Sequence, residues 1–176
     1  MKLSLFLSLM LLLLPGCLVS PSKKYQPMSD ATHLEIFVVQ QQWDINIKGK
    51  EFHAQIVAQS IEGGWQWILL NDFGQRQVSI TSKHGSLAIE EFQSSQITEY
   101  LDQLVMAWQL MFWPPELIQS SNQHKWSCRE EGNQRLLYFE NQPYANILFT
   151  GHEISNIKVE YQSKDIHISL SSYPLI

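Results

Sequence analysis

The residue types that catalyse or hold metals are present, but nothing gathers them. His33, His53, His84, His124, His152 and His167 are scattered through 176 residues, with no His-x-x-x-His and no paired cysteines, so metal-ligand spacing is missing. Glu90 and Glu91 fall side by side in a strand pattern and point to opposite faces, which rules them out as a close acid/base pair. There is no Gly-x-Ser-x-Gly elbow and no phosphate-binding glycine loop. The expectation is a protein that is not an enzyme and needs no metal or cofactor. A net charge of -5, with no basic cluster longer than Lys23-Lys24, argues against nucleic acid as a partner.

The chemistry worth attention lies at a cysteine. Residues 1–16 begin with Lys2 and continue LSLFLSLMLLLLPG, a charged start and an apolar run of signal-peptide length, expected to be removed rather than folded. Leu14-Pro15-Gly16-Cys17 resembles the lipobox of bacterial lipoproteins, with Pro15 a less usual occupant of its position. The resemblance implies that Cys17 becomes the acylated first residue of the mature chain. Leu18 and Val19 follow it, where inner-membrane lipoproteins commonly carry aspartate, so the implied location is the inner leaflet of the bacterial outer membrane, facing the periplasm. A lipidated Cys17 leaves Cys128 alone. Its neighbours Trp126, Ser127 and Arg129 read as strand, which suits a buried inert thiol better than a nucleophile.

The chain divides into that leader, a lipidated cysteine with a flexible tether over 17–30, and one domain over 31–176, long enough to bury a core without disulfides. Ser20 to Asp30, SPSKKYQPMSD, is polar and proline-containing, as a tether should be. The domain is organised around Ile97–Ile118, ITEYLDQLVMAWQLMFWPPELI. Ile97, Leu101, Leu104, Trp108 and Met111 recur at steps of three or four, widened by Tyr100, Val105 and Phe112, with Glu99, Asp102, Gln103 and Gln109 mostly opposite. This predicts an amphipathic helix too polar to span a membrane. Trp113-Pro114-Pro115 stops it, and a second short helix through Glu116–Gln119 completes a helical insertion over 97–119.

Everything around the helix alternates with the period of a strand. Phe37 to Ile47 and Phe52 to Ala58 flank a Lys48-Gly49-Lys50 turn; Gly63-Gly64, Asn71 to Gly74, Lys83 to Gly85, Gly132-Asn133, Asn141 to Pro143 and Ser163 to Asp165 mark further turns. About ten antiparallel strands with one apolar face must curl around something, and the helix is the available filler. In the loop Asn71-Asp72-Phe73-Gly74 a large apolar residue occupies a turn tip. Phe73 either folds back on its hairpin or stands exposed as an inserting tip.

WILLNDFGQRQVSITSKHGSLAI, Trp67 to Ile89, is similar to the strand, turn, strand and hairpin of the LolA/LolB superfamily of lipoprotein carriers, and Tyr100 to Ser120 stands where that superfamily has its helix pair. The similarity extends to small LolB-like lipoproteins associated with fatty-acid and aryl-polyene synthesis genes. It implies a mainly β (α+β) fold, a curved unclosed antiparallel barrel whose apolar cavity, lidded by helices, takes up acyl chains such as palmitate. Trp65, Trp67, Val78, Ile80, Leu101, Leu104, Trp108 and Phe112 would line that cavity, and Phe73 would be the membrane-contact tip, although Asp72 stands where the family has proline. The implied partners are an acylated cargo, lipoprotein or lipid intermediate, a periplasmic LolA-like carrier, and the outer membrane, with the chain acting as a monomer. About 0.8 kcal/mol per buried methylene would hold a chain of about fifteen methylenes by up to about 12 kcal/mol. The same aromatic residues would equally fill a dry core. A different class of function is a non-transporting envelope scaffold acting through its surface or a sheet edge.

Overall fold

The computed structural model describes residues 37–93, 95–120, 125–151 and 157–174. The leader, Cys17 and the tether lie outside them. Ten strands form one antiparallel sheet: β1 (Val38–Ile47), β2 (Lys50–Ile61), β3 (Gly64–Leu70), β4 (Arg76–Lys83), β5 (Ser86–Glu91), β6 (Trp126–Glu131), β7 (Gln134–Phe139), β8 (Gln142–Thr150), β9 (Lys158–Ser163) and β10 (Ile166–Pro174). The curved, unclosed sheet with a helical insertion is the expected fold.

The strand order, β5-β4-β3-β2-β1-β10-β9-β8-β7-β6, carries the main consequence. The first and last strands pair at the centre, Trp43 opposite Leu170 and Ile45 opposite Ile168, so the two edges are β5 and β6, which are consecutive in the chain. The segment joining them is the helical one. It therefore straddles the seam where a closed barrel would have paired those edges. Register shifts at Leu69/Leu70 and Leu137/Tyr138 put an irregularity into each half of the sheet, the device by which strands bend.

Local chemistry fixes the turns. Lys48 and Gly49 both have positive φ, and the Asn46 side chain accepts the Gly49 amide at 3.0 Å, which holds the two-residue hairpin in register. The turn expected at Asn141-Gln142-Pro143 sits one residue earlier, at Glu140 and Asn141, and Gln142 and Pro143 open β8 instead. Pro143 faces Tyr138 at the register shift, where a missing amide costs no ladder bond. Gly64 opens β3 rather than serving in a turn, because a Cβ there would come within 1.8 Å of the Ser82 carbonyl oxygen.

The helical insertion begins as a 3-10 turn, Gln96–Tyr100, in which the Ser95 amide donates to the Thr98 hydroxyl and that hydroxyl donates back to the Ser95 carbonyl at 2.7 Å. Helix α1 follows from Leu101 to Phe112 and α2 from Pro115 to Ser120. Trp113 between them is extended, as the residue before Pro114 must be. Tyr100 packs on Phe52 and Trp108 on Phe37 and Trp65, so α1 runs the length of the concave face. It is buried almost all round, and Gln109, expected among the polar residues of the outer face, is buried as well. The reason is curvature: a sheet wrapped about a helix covers flanks that a flat sheet would leave wet.

Candidate functional site

The concave face brings the eight residues of the expected lining into one cluster. Trp65, Trp67, Val78 and Ile80 point in from β3 and β4, and Leu101, Leu104 and Trp108 point down from α1; all seven are buried, while Phe112 is half-buried at the rim. Trp65 and Trp108 meet at 5.2 Å between ring centroids, and Trp43 closes on Trp67 edge-on at 6.3 Å. The helix therefore packs directly onto the concave face.

Two contacts hold α1 in place. At its start the Lys50 ammonium lies 5.8 Å over the Tyr100 ring, itself stacked on Phe52. At its end Arg135, from β7, turns inward: Nη1 lies 2.9 Å from the carbonyl oxygens of Leu110 and Trp113 and 3.0 Å from that of Met111. A guanidinium at this point satisfies helix carbonyls that otherwise lack donors, and complements the negative end of the helix dipole. Its Nε and Nη2 donate to Glu130 Oε1 at 2.9 and 2.6 Å, and Phe149 lies beneath it at 5.4 Å. Arg135 was not anticipated from the sequence, since an arginine in a strand pattern reads as solvent-facing; its alternation with Leu137 was the available signal.

The two sides of the seam differ. On one side α2 packs on β6, with Ile118 buried and the Gln119 side chain donating to the Cys128 carbonyl at 3.2 Å. On the other, Ile89 of β5 stands opposite the buried Ile80 and so faces the concave side, yet it is 45% exposed. Phe92 beyond it is 52% exposed, with Arg76 stacked on its ring at 5.5 Å. The apolar interior thus reaches solvent along β5.

Phe73 stands next to this edge. The Asn71 side chain accepts the amides of Phe73 at 3.0 Å and Gln75 at 2.9 Å, and closing the loop this way turns the phenyl outward until it is 87% exposed. Because the Phe92 amide bonds to the Gln77 carbonyl, the β3–β4 tip, the end of β5 and the start of the helical segment share one end of the sheet. Cys128 is free and half-buried, and burial pushes its thiol up, only partly countered by Arg135. That shift disfavours the thiolate, the reactive form.

The polar groups of the interior fall into two sets. Around β1 and β10 they pair: Gln41 accepts the Trp43 indole N–H at 3.1 Å and donates to Ser172 Oγ at 3.0 Å. Around α1 they do not. The indole N–H groups of Trp65, Trp67, Trp108 and Trp113, both ends of the Gln109 amide and the Tyr161 hydroxyl on β9, a strand that α1 also touches, are buried and find no hydrogen-bond partner among the described residues. Arg135, matched by Glu130, is the one buried charged residue among the described residues. Searched against curated proteins, the chain finds no match. Residues 38–174, the whole sheet with its helical insertion, match the model of the family described as a protein of unknown function, DUF3261, and the chain belongs to that family.

Proposed function

We propose that this protein is a lipid-anchored carrier of the outer membrane, which takes an acyl chain of a lipoprotein or lipid onto the concave face beneath α1 and passes it to the membrane. The observation that carries this reading is the seam: the apolar concave face is covered by one helix, and along β5 that cover is incomplete. A purely structural core gains nothing from leaving Ile89 and Phe92 half in water, whereas a carrier needs an apolar host with a way in. The likeness to LolA/LolB carriers supports the same reading. Anchoring through Cys17 would set the domain on its tether in front of the bilayer, and Phe73 would touch it. Acylated cargo, supplied by a periplasmic carrier of the LolA kind, is the partner this reading requires.

The described core draws its members from positions 39–170, so segment 18–176 carries it whole and serves for solution work. Native mass spectrometry of that segment, purified without detergent after incubation with vesicles of bacterial lipid, should show adducts of acyl-lipid mass. Bare protein alone, at any lipid concentration, would sink the carrier reading. It would favour the second one, an envelope scaffold, which the exposed edge of β5 supports because an unpaired strand can accept a partner's strand.

A further inference from the structure

We propose that the unpaired donors around α1 form a recognition site for the carbonyl group of an ester- or amide-linked acyl chain. The inference rests on the carrier reading and adds what the interior selects.

Trp65, Trp67, Trp108 and Gln109 are buried, and their side-chain polar atoms have no partner among the described residues. A buried donor left without an acceptor is unfavourable, and a purely apolar side chain in its place would carry no such penalty. The protein does satisfy such groups elsewhere, as Trp43 with Gln41 shows, so the absence of partners belongs to one region, which also takes in the Tyr161 hydroxyl on β9. That region is α1, the turn at Trp113 that ends it and the strands around it, where an acyl chain would have to enter. The chemistry of the set then defines the guest. Four indole N–H groups, Trp113 included, and the two amide hydrogens of Gln109 are donors; the Tyr161 hydroxyl can donate or accept, and the Gln109 carbonyl is the one group that only accepts. The guest must therefore bring acceptors. It must also bring them without charge, because the buried cation, Arg135, is already matched by Glu130 and spends Nη1 on the helix carbonyls. An ionised carboxylate or a phosphate would enter with no countercharge. A neutral acyl carbonyl, with two lone pairs on one oxygen, fits both conditions.

Three pyrene-tipped probes of equal chain length test this on segment 18–176: a methyl ester, a free carboxylate at neutral pH and a plain alkane, with binding read from pyrene emission. The ester should bind about tenfold tighter than the other two, as expected where a site's polar groups are otherwise left unpaired. Gln109→Leu should reduce that preference without lowering the melting temperature, since it removes no bond that the protein itself makes; Trp108→Phe should reduce it too, with a lower melting temperature because the smaller ring gives up packing. Equal binding of ester and alkane overturns the carbonyl site while leaving the carrier. Tightest binding of the carboxylate overturns it too. A variant that melts lower with the ester preference intact shows that its polar group serves the fold and overturns the site. Binding of no probe removes both the site and the carrier reading.

Discussion

Arg135 Nη1 lies 2.9 Å from the carbonyl oxygen of Trp113, and through that contact a strand of the sheet holds the end of the helix that covers its own concave face. The same nitrogen reaches Leu110 and Met111, so one guanidinium ties off the last turn of α1. Arg135→Leu leaves the helix-end carbonyls without donors, while Glu130, half in solvent, is simply rehydrated, and should cost about 1–3 kcal/mol, the range for leaving buried polar groups unpaired. Arg135→Lys keeps the charge but loses the planar fork, so a smaller loss is expected together with faster amide exchange in 101–112 than in β1. Hydrogen exchange followed by mass spectrometry measures it. Uniform acceleration over sheet and helix alike would show that Arg135 stabilises the whole fold rather than pinning the cover.

Phe73 separates stability from delivery. At 87% exposure it contributes little packing, so Phe73→Glu should change stability by less than about 1 kcal/mol. It should nonetheless block transfer of a bound acyl probe to liposomes, because a carboxylate is costly to place in a bilayer. Full transfer by Phe73→Glu would remove the tip from the mechanism.

Phe73 also shows what the sequence could and could not reveal. Its position in a turn was legible from Asn71 and Gly74, but whether the ring folded back or stood out depended on the Asn71 side chain taking two amides, a geometry that composition does not specify. The strands were legible because β1, β9 and β10 alternate cleanly, and α1 because its apolar positions recur at helical spacing. The inward-facing residues of β3, β4 and α1 were legible by the same periodicity. Gln109 and Arg135 were not, since both follow from curvature: the sheet wraps far enough to bury the flank of α1 carrying Gln109 and brings β7 against the end of the helix. Long-range pairing of β1 with β10 creates that curvature, and no local signal announces it.

On the lipobox reading, Cys17 sets location rather than fold. The lipobox reading requires that Cys17→Ser block lipidation, leaving the protein uncleaved or released from the outer membrane. Fractionation with detergent partitioning checks this. A Cys17→Ser protein that still partitions into detergent would mean that something other than an acyl anchor holds the chain at the membrane.

Trp108 distinguishes an interior that only packs from one that also accommodates a guest. Its ring is buried against Trp65, Phe37 and Phe112, so Trp108→Ala should destabilise the guest-free domain by about 3–5 kcal/mol through lost contacts and the space left behind. In a carrier that space adjoins the one an acyl chain uses, and a chain entering it replaces part of the missing indole. Saturating alkyl probe should then raise the melting temperature of Trp108→Ala more than that of the parent, because the variant gains the packing the parent already has. A ligand at a hundredfold its dissociation constant adds about 2.7 kcal/mol, enough to recover most of the loss. Thermal unfolding with and without probe gives both numbers. A variant that loses the full amount and recovers none of it with any chain would mark the interior as packed core alone.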